Sequence, residues 1–210
     1  MWKPHIILGI FLSAILAFAS PRALAGEFDF FRDIHRGMPE AALARLGAKP
    51  CADGLCMDTV IGGKTWDGRY YIKNGQLDAV ILDGTAADGP ALDIAIKETT
   101  LIPVYVEIDG KTFEIAAELR AGKSPREAME ALMTFFQEAG GPKRMQTGYT
   151  DKATLDLLVK SGRPFAETYS VAPQAPIVLT LLASKKMRVL CSTAALLHSP
   201  EMLPFAKGEK

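Results

Sequence analysis

Residues 70–82, Tyr70-Tyr71-Ile72-Lys73-Asn74-Gly75-Gln76-Leu77-Asp78-Ala79-Val80-Ile81-Leu82, decide the fold class. Asn74-Gly75 sits between two apolar-rich runs, and Asn-Gly is the preferred pair of a two-residue type I′ hairpin because both positions need positive φ. The turn fixes a register in which Lys73 faces Gln76, Ile72 faces Leu77, Tyr71 faces Asp78 and Tyr70 faces Ala79. One face then carries Trp66, Tyr70, Ile72, Leu77, Ala79 and Ile81. The other carries Asp67, Arg69, Tyr71, Lys73, Asp78, Val80 and Leu82. The first reads as core, the second as mixed.

Asp109-Gly110 centres a second hairpin. It sets Val104, Val106, Ile108, Phe113 and Ile115 against Tyr105, Glu107, Thr112 and Glu114. Alternation over Leu92-Asp93-Ile94-Ala95-Ile96-Lys97 predicts a third strand, with a helix as its alternative over so short a segment. Residues 57–118 thus read as an antiparallel meander with one buried face. Upstream, Pro39, Glu40 and Gly47 mark a short helix over about 39–46. Downstream, Ser124-Pro125-Arg126-Glu127 is a capping box opening a helix that runs to Ala139 and ends at Gly140-Gly141. A further helix, 151–160, is capped by Thr150 and stopped by Gly162 and Pro164. Strands at 166–171, 177–183 and 187–192 close the chain. The fold class is α+β, an antiparallel sheet packed on helices.

The first 25 residues read as a cleavable secretory signal. Lys3 is followed by the apolar run Ile6–Ala19, then Ser20-Pro21 and Ala23-Leu24-Ala25, the order of a signal peptide with its cleavage site. The 14-residue run is short for a membrane-spanning helix, which needs about 20 apolar residues. Cleavage near Ala25-Gly26 places the protein in the periplasm or outside the cell. The signal holds two basic residues and no acid, so 24 − 2 = 22 basic residues then face 24 acidic ones, a net charge of −2. That balance gives nucleic-acid binding no electrostatic support. Residues 26–118 form a first helix-plus-meander half and 119–198 a helical then antiparallel second half. Residues 199–210 read as a frayed tail.

Export favours disulfides, and Cys51 and Cys56 stand close enough in a Gly-containing loop to pair. Cys191 then remains as a buried small hydrophobe, although bridges from Cys191 to either of the others stay open. Zinc would need Cys51, Cys56 and His35, with Cys191 as a further ligand; only His35 and His198 remain as histidines after cleavage, and the oxidising compartment argues for the disulfide instead. Gly62-Gly63-Lys64-Thr65 ends like a phosphate-binding loop, but Asp58 stands where that motif needs Gly. Asp83 to Gly89 fails as a calcium loop because Ala87 and Ile94 occupy ligand positions. No cofactor is indicated. The remaining candidate is a surface patch of Trp66, Arg69 and Tyr71, residue types that dominate protein interfaces. The alternative, which register favours, buries Trp66 in the core and packs Tyr71 against Val80 beneath a helix.

The run Ile34-His35-Arg36-Gly37-Met38-Pro39-Glu40, then Leu43 and Leu46-Gly47, then strands with Trp66 and the Asn74-Gly75 turn, is similar to a known module. It resembles the helix-then-sheet units of bacterial β-lactamase-inhibitor proteins and of the small outer-membrane lipoproteins that assist β-barrel assembly. The resemblance covers about 34–83, with a second copy suggested from 120 by a similar helix start. This chain lacks the lipidated Cys of the lipoproteins and matches none of the inhibitors' binding-loop residues. The resemblance implies an exported, non-catalytic module that binds another envelope or secreted protein. The competing expectation is an envelope hydrolase or small-ligand-binding protein whose site is assembled from scattered residues.

Overall fold

The computed structural model describes residues 29–31, 34–52, 54–139 and 144–197. The signal segment 1–25, the tail 199–210, His198 and the helix stop at Gly140-Gly141 lie outside the described residues. Nine strands form one antiparallel sheet: β3 (Lys49–Cys51), β4 (Gly54–Ile61), β5 (Lys64–Lys73), β6 (Gln76–Thr85), β7 (Ile102–Ile108), β8 (Lys111–Glu114), β9 (Arg144–Thr150), β10 (Pro176–Ala183) and β11 (Lys186–Thr193). Their spatial order is β3-β4-β5-β6-β11-β10-β9-β7-β8. A two-stranded ribbon, β1 (Asp29–Phe31) with β2 (Ile34–His35), precedes it. The helices are α1 (Glu40–Arg45), α2 (Gly89–Lys97), α3 (Ile115–Arg120), α4 (Pro125–Ala139), α5 (Lys152–Ser161), α6 (Thr168–Val171) and α7 (Ala194–Leu197). The fold is α+β.

Local signals place several elements well. Asn74 (φ 53°) and Gly75 (φ 75°) adopt the left-handed conformation of the expected hairpin turn, as do Asp109 (φ 47°) and Gly110 (φ 84°). At the start of α4, Glu127 accepts from the Ser124 backbone N–H at 2.7 Å and from its hydroxyl at 2.6 Å. The cap of α5 is Asp151 rather than Thr150; its carboxylate accepts from the Thr154 N–H at 2.7 Å.

Other expectations are overturned. The segment expected as a strand at 92–97 is helix α2, because Leu92 and Ile96, four residues apart, both bury into one core. The strand expected at 166–171 is instead a 3-10 turn (Phe165–Glu167) running into α6. Phe165 is driven in there, stacking on Tyr105 with ring centroids 5.3 Å apart. The meander with one buried face also fails. After β6 the chain leaves through α2 and returns at β7, while β11 takes the place beside β6. The central strands therefore bury both faces.

The predicted faces of the first hairpin are corrected by a single bulge. Ile72 faces Leu77 as expected, but Tyr71 faces Ala79 and Tyr70 faces Val80, so Asp78 is an extra residue. Arg36 holds it there, donating from Nε at 3.0 Å and from Nη2 at 2.8 Å to Oδ1 of Asp78. The flanking Leu77 N–H donates to the Met38 carbonyl at 2.8 Å. Beyond the bulge every residue of β6 changes sides. Val80 and Leu82 join Trp66 and Tyr70 in the core beneath α1 and α2, with Phe30, Leu43, Leu92 and Ile96. Ala79 and Ile81 turn to the opposite core, with Leu155, Leu158, Phe165, Leu179 and Leu190.

Candidate functional site

Side chains alternate along each strand, so the register defines rows that cross the sheet. On the face opposite Trp66, one row runs Asp58 (β4), Asp67 (β5), Asp83 (β6), Arg188 (β11), Leu181 (β10), Gln146 (β9), Glu107 (β7) and Thr112 (β8). Not one of these eight side chains is buried. The adjacent row on the same face is Cys56, Arg69, Ile81, Leu190, Leu179, Gly148, Tyr105 and Glu114. Its four central members are buried. The covering layer therefore ends between the two rows, leaving a polar shelf across eight strands.

Asp83 organises the middle of this shelf. Arg188, directly opposite it, donates from Nε to Oδ1 at 2.5 Å and from Nη2 to Oδ2 at 3.0 Å. Arg69 reaches diagonally from β5 to β6 and donates from Nη2 to Oδ2 at 2.5 Å. Two guanidinium groups thus share one carboxylate, each held in a fixed orientation by charge-assisted hydrogen bonds. Beside them Asp58, Asp67 and Asp83 stand directly opposite one another on adjacent strands. Like charges so placed destabilise a sheet.

The three residues of the expected patch part company. Trp66 is wholly buried on the other face, against Gly84, which is the core reading of that residue. Arg69 lies on the shelf side and is 22% exposed. Tyr71 shares its face but packs against the adjoining core, with its phenol oxygen shielded from solvent. Cys51 and Cys56 are bridged, Cα to Cα 5.8 Å, and tie β3 to the end of the Arg69 row. Cys191 is a buried thiol whose pKa is pushed up by burial, away from nucleophilic or ligating chemistry. Sequence reasoning missed Asp83 and Arg188 as partners. They lie 105 residues apart, and no local pattern joins them.

Two carboxyls elsewhere are perturbed. Burial raises Asp93 on α2 to about 6, opposed by Lys97 one turn on. Burial also raises Glu114, whose carboxylate accepts from the Phe165 N–H at 3.2 Å. Tyr105 donates to Glu107 at 2.8 Å, and its pKa rises through burial first and that hydrogen bond second. Among the described residues no group of three His, Cys, Asp or Glu side chains is placed to hold a metal ion. Among them, too, no helix is long and apolar enough to cross a membrane. No family model, curated protein or solved structure matches the chain.

Proposed function

We propose that this chain is an exported, non-catalytic binding module of the cell envelope, which docks another envelope or secreted protein on the polar shelf. The observation that carries the reading is the shelf itself: eight strands present an unburied row in a sheet whose neighbouring row is buried on its four central strands. Arg69 and Arg188 are held in place by Asp83, so little side-chain freedom is lost when a partner meets them. Asp58 and Asp67 add an exposed acidic surface that a basic partner segment complements. Export is supported by the signal-like segment and by the placement of Cys51 and Cys56 for a disulfide, a pairing that persists in oxidising compartments. The resemblance of residues 34–83 to inhibitor and assembly-lipoprotein units points to the same class.

The test is crosslinking of the tagged protein in its native envelope, comparing the wild type with Asp58→Lys/Asp67→Lys. Both positions are exposed, so the variant keeps the fold while reversing the charge offered to a partner. The expected result is one abundant crosslinked protein that is lost in the variant. Equal capture by both forms would remove the shelf from the binding surface.

A further inference from the structure

The strand directions collect basic residues at one end of the sheet. Lys64 opens β5, Lys111 opens β8, Arg144 opens β9, and Lys185 and Lys186 occupy the turn into β11. The pairs Ile61↔Lys64, Thr85↔Lys186, Ala183↔Arg144 and Ile108↔Lys111 place all of these residues at the same end. All five basic side chains are exposed. Acidic groups stand there too. Asp88 is engaged by Thr85 in a capping box and attracted to Lys64, and Asp109 accepts the Arg144 N–H at 3.0 Å. Glu107 is one residue from the end of β7, and Asp83, held by Arg69 and Arg188, is two residues from the end of β6. From β5 to β8 the basic positions span six strand spacings, roughly 29 Å at about 4.8 Å each. The chain as a whole carries no net charge. The basic rim is therefore a product of topology.

We propose that this rim docks the protein peripherally on an anionic membrane surface, by contact with lipid phosphates. Basic side chains on successive turn tips offer several cations to one extended anionic surface. A nucleic acid would call for a helix or ribbon entering a groove, or for aromatic stacking platforms. No aromatic residue stands among these turn residues, Ile61–Lys64, Ile108–Lys111 and Ala183–Lys186. Each basic residue held near an anionic bilayer strengthens binding about five-fold at physiological salt. The attraction fades within a Debye length of about 8 Å, so the membrane field reaches the shelf row, which begins roughly 3–10 Å from the strand ends, and its acids Asp67, Asp83 and Glu107 oppose part of the attraction. This inference is independent of the shelf reading, because it concerns the strand ends and a lipid rather than a protein.

The test is sedimentation of residues 26–210 with vesicles of phosphatidylglycerol and phosphatidylcholine, or of phosphatidylcholine alone. That chain contains the whole fold, since both cores are built from residues between 30 and 194. Binding is expected to the anionic vesicles, to weaken with added salt, and to fall about twenty-five-fold or more in Lys185→Glu/Lys186→Glu. Lys64→Glu/Lys111→Glu is a second variant at separate turns and should lose affinity similarly. Unchanged Trp66 fluorescence would show that each variant is folded. Equal binding to neutral vesicles, no binding at low salt, or undiminished binding by the two folded variants would overturn the proposal. So would displacement by inorganic phosphate beyond that by chloride at equal ionic strength, which would indicate a site for a single phosphate.

Discussion

Gly84→Ala tests the shifted register, which sets Gly84 against the buried Trp66 ring. A Cβ built on Gly84 would stand 2.6 Å from Cε3 and 2.7 Å from Cζ3 of the Trp66 ring. Ordinary contact begins at 3.4 Å, so one partner must give by 3.4 − 2.6 = 0.8 Å. The backbone at Gly84 is fixed by pairing with Met187, and the ring is fully buried. Overpacking of this kind costs about 1–3 kcal/mol, and a wholly enclosed indole puts it at about 2–3 kcal/mol. For a domain of this size that lowers Tm by about 4–12 °C. The assay is direct, because the chain has two tryptophans, Trp2 and Trp66, and residues 26–210 contain only Trp66. Urea unfolding followed by tryptophan emission then reports the affected ring alone. Gly89→Ala is the control: its Cβ would meet only the Met187 side chain, Sδ at 3.7 Å and Cε at 3.9 Å, and Ala at the start of α2 should be neutral or mildly stabilising. If Gly84→Ala unfolds within about 0.5 kcal/mol of the wild type, Trp66 does not lie under Gly84. The bulge at Asp78 would then be misplaced.

Asp83→Asn should destabilise the protein by about 1 kcal/mol, a modest figure because the pairs are partly solvated; no change in the urea midpoint would show that the two arginines gain nothing from sharing it. Asp93, raised to about 6 from 3.8 by burial, holds its proton in the folded state where the unfolded chain has released it. Stability should therefore fall as pH rises from about 4 to about 6. Asp93→Asn should flatten that segment of a pH series of urea titrations and stabilise the protein at pH 7, and parallel curves for the two proteins would contradict the assignment. Cys51→Ser/Cys56→Ser should cost about 2 kcal/mol on the chain-entropy account of a loop of about six residues. Hydrogen exchange should rise first across Lys49–Cys51, and unchanged protection there would mean that β3 is held without the bridge.

Much of this protein was legible because some signals need only neighbouring residues. The Asn74-Gly75 and Asp109-Gly110 turns follow from which residues tolerate positive φ. The start of α4 follows from the reciprocal bonds of Ser124 and Glu127, and the Cys51–Cys56 bridge from their closeness in one hairpin. What tertiary structure alone decided is which way each strand faces and which strands are neighbours. One extra residue, Asp78, held by Arg36 42 positions away, turns Ala79–Leu82 over. Insertion of β11 beside β6 joins Arg188 to Asp83, and a core on each side of the sheet buries both faces, so alternation ceases to report a single buried side. The same packing makes 92–97 helical, since Leu92 and Ile96 gain a core that no isolated segment offers. Side-chain pattern sets what a segment can bury; the rest of the chain supplies the surface against which it does so.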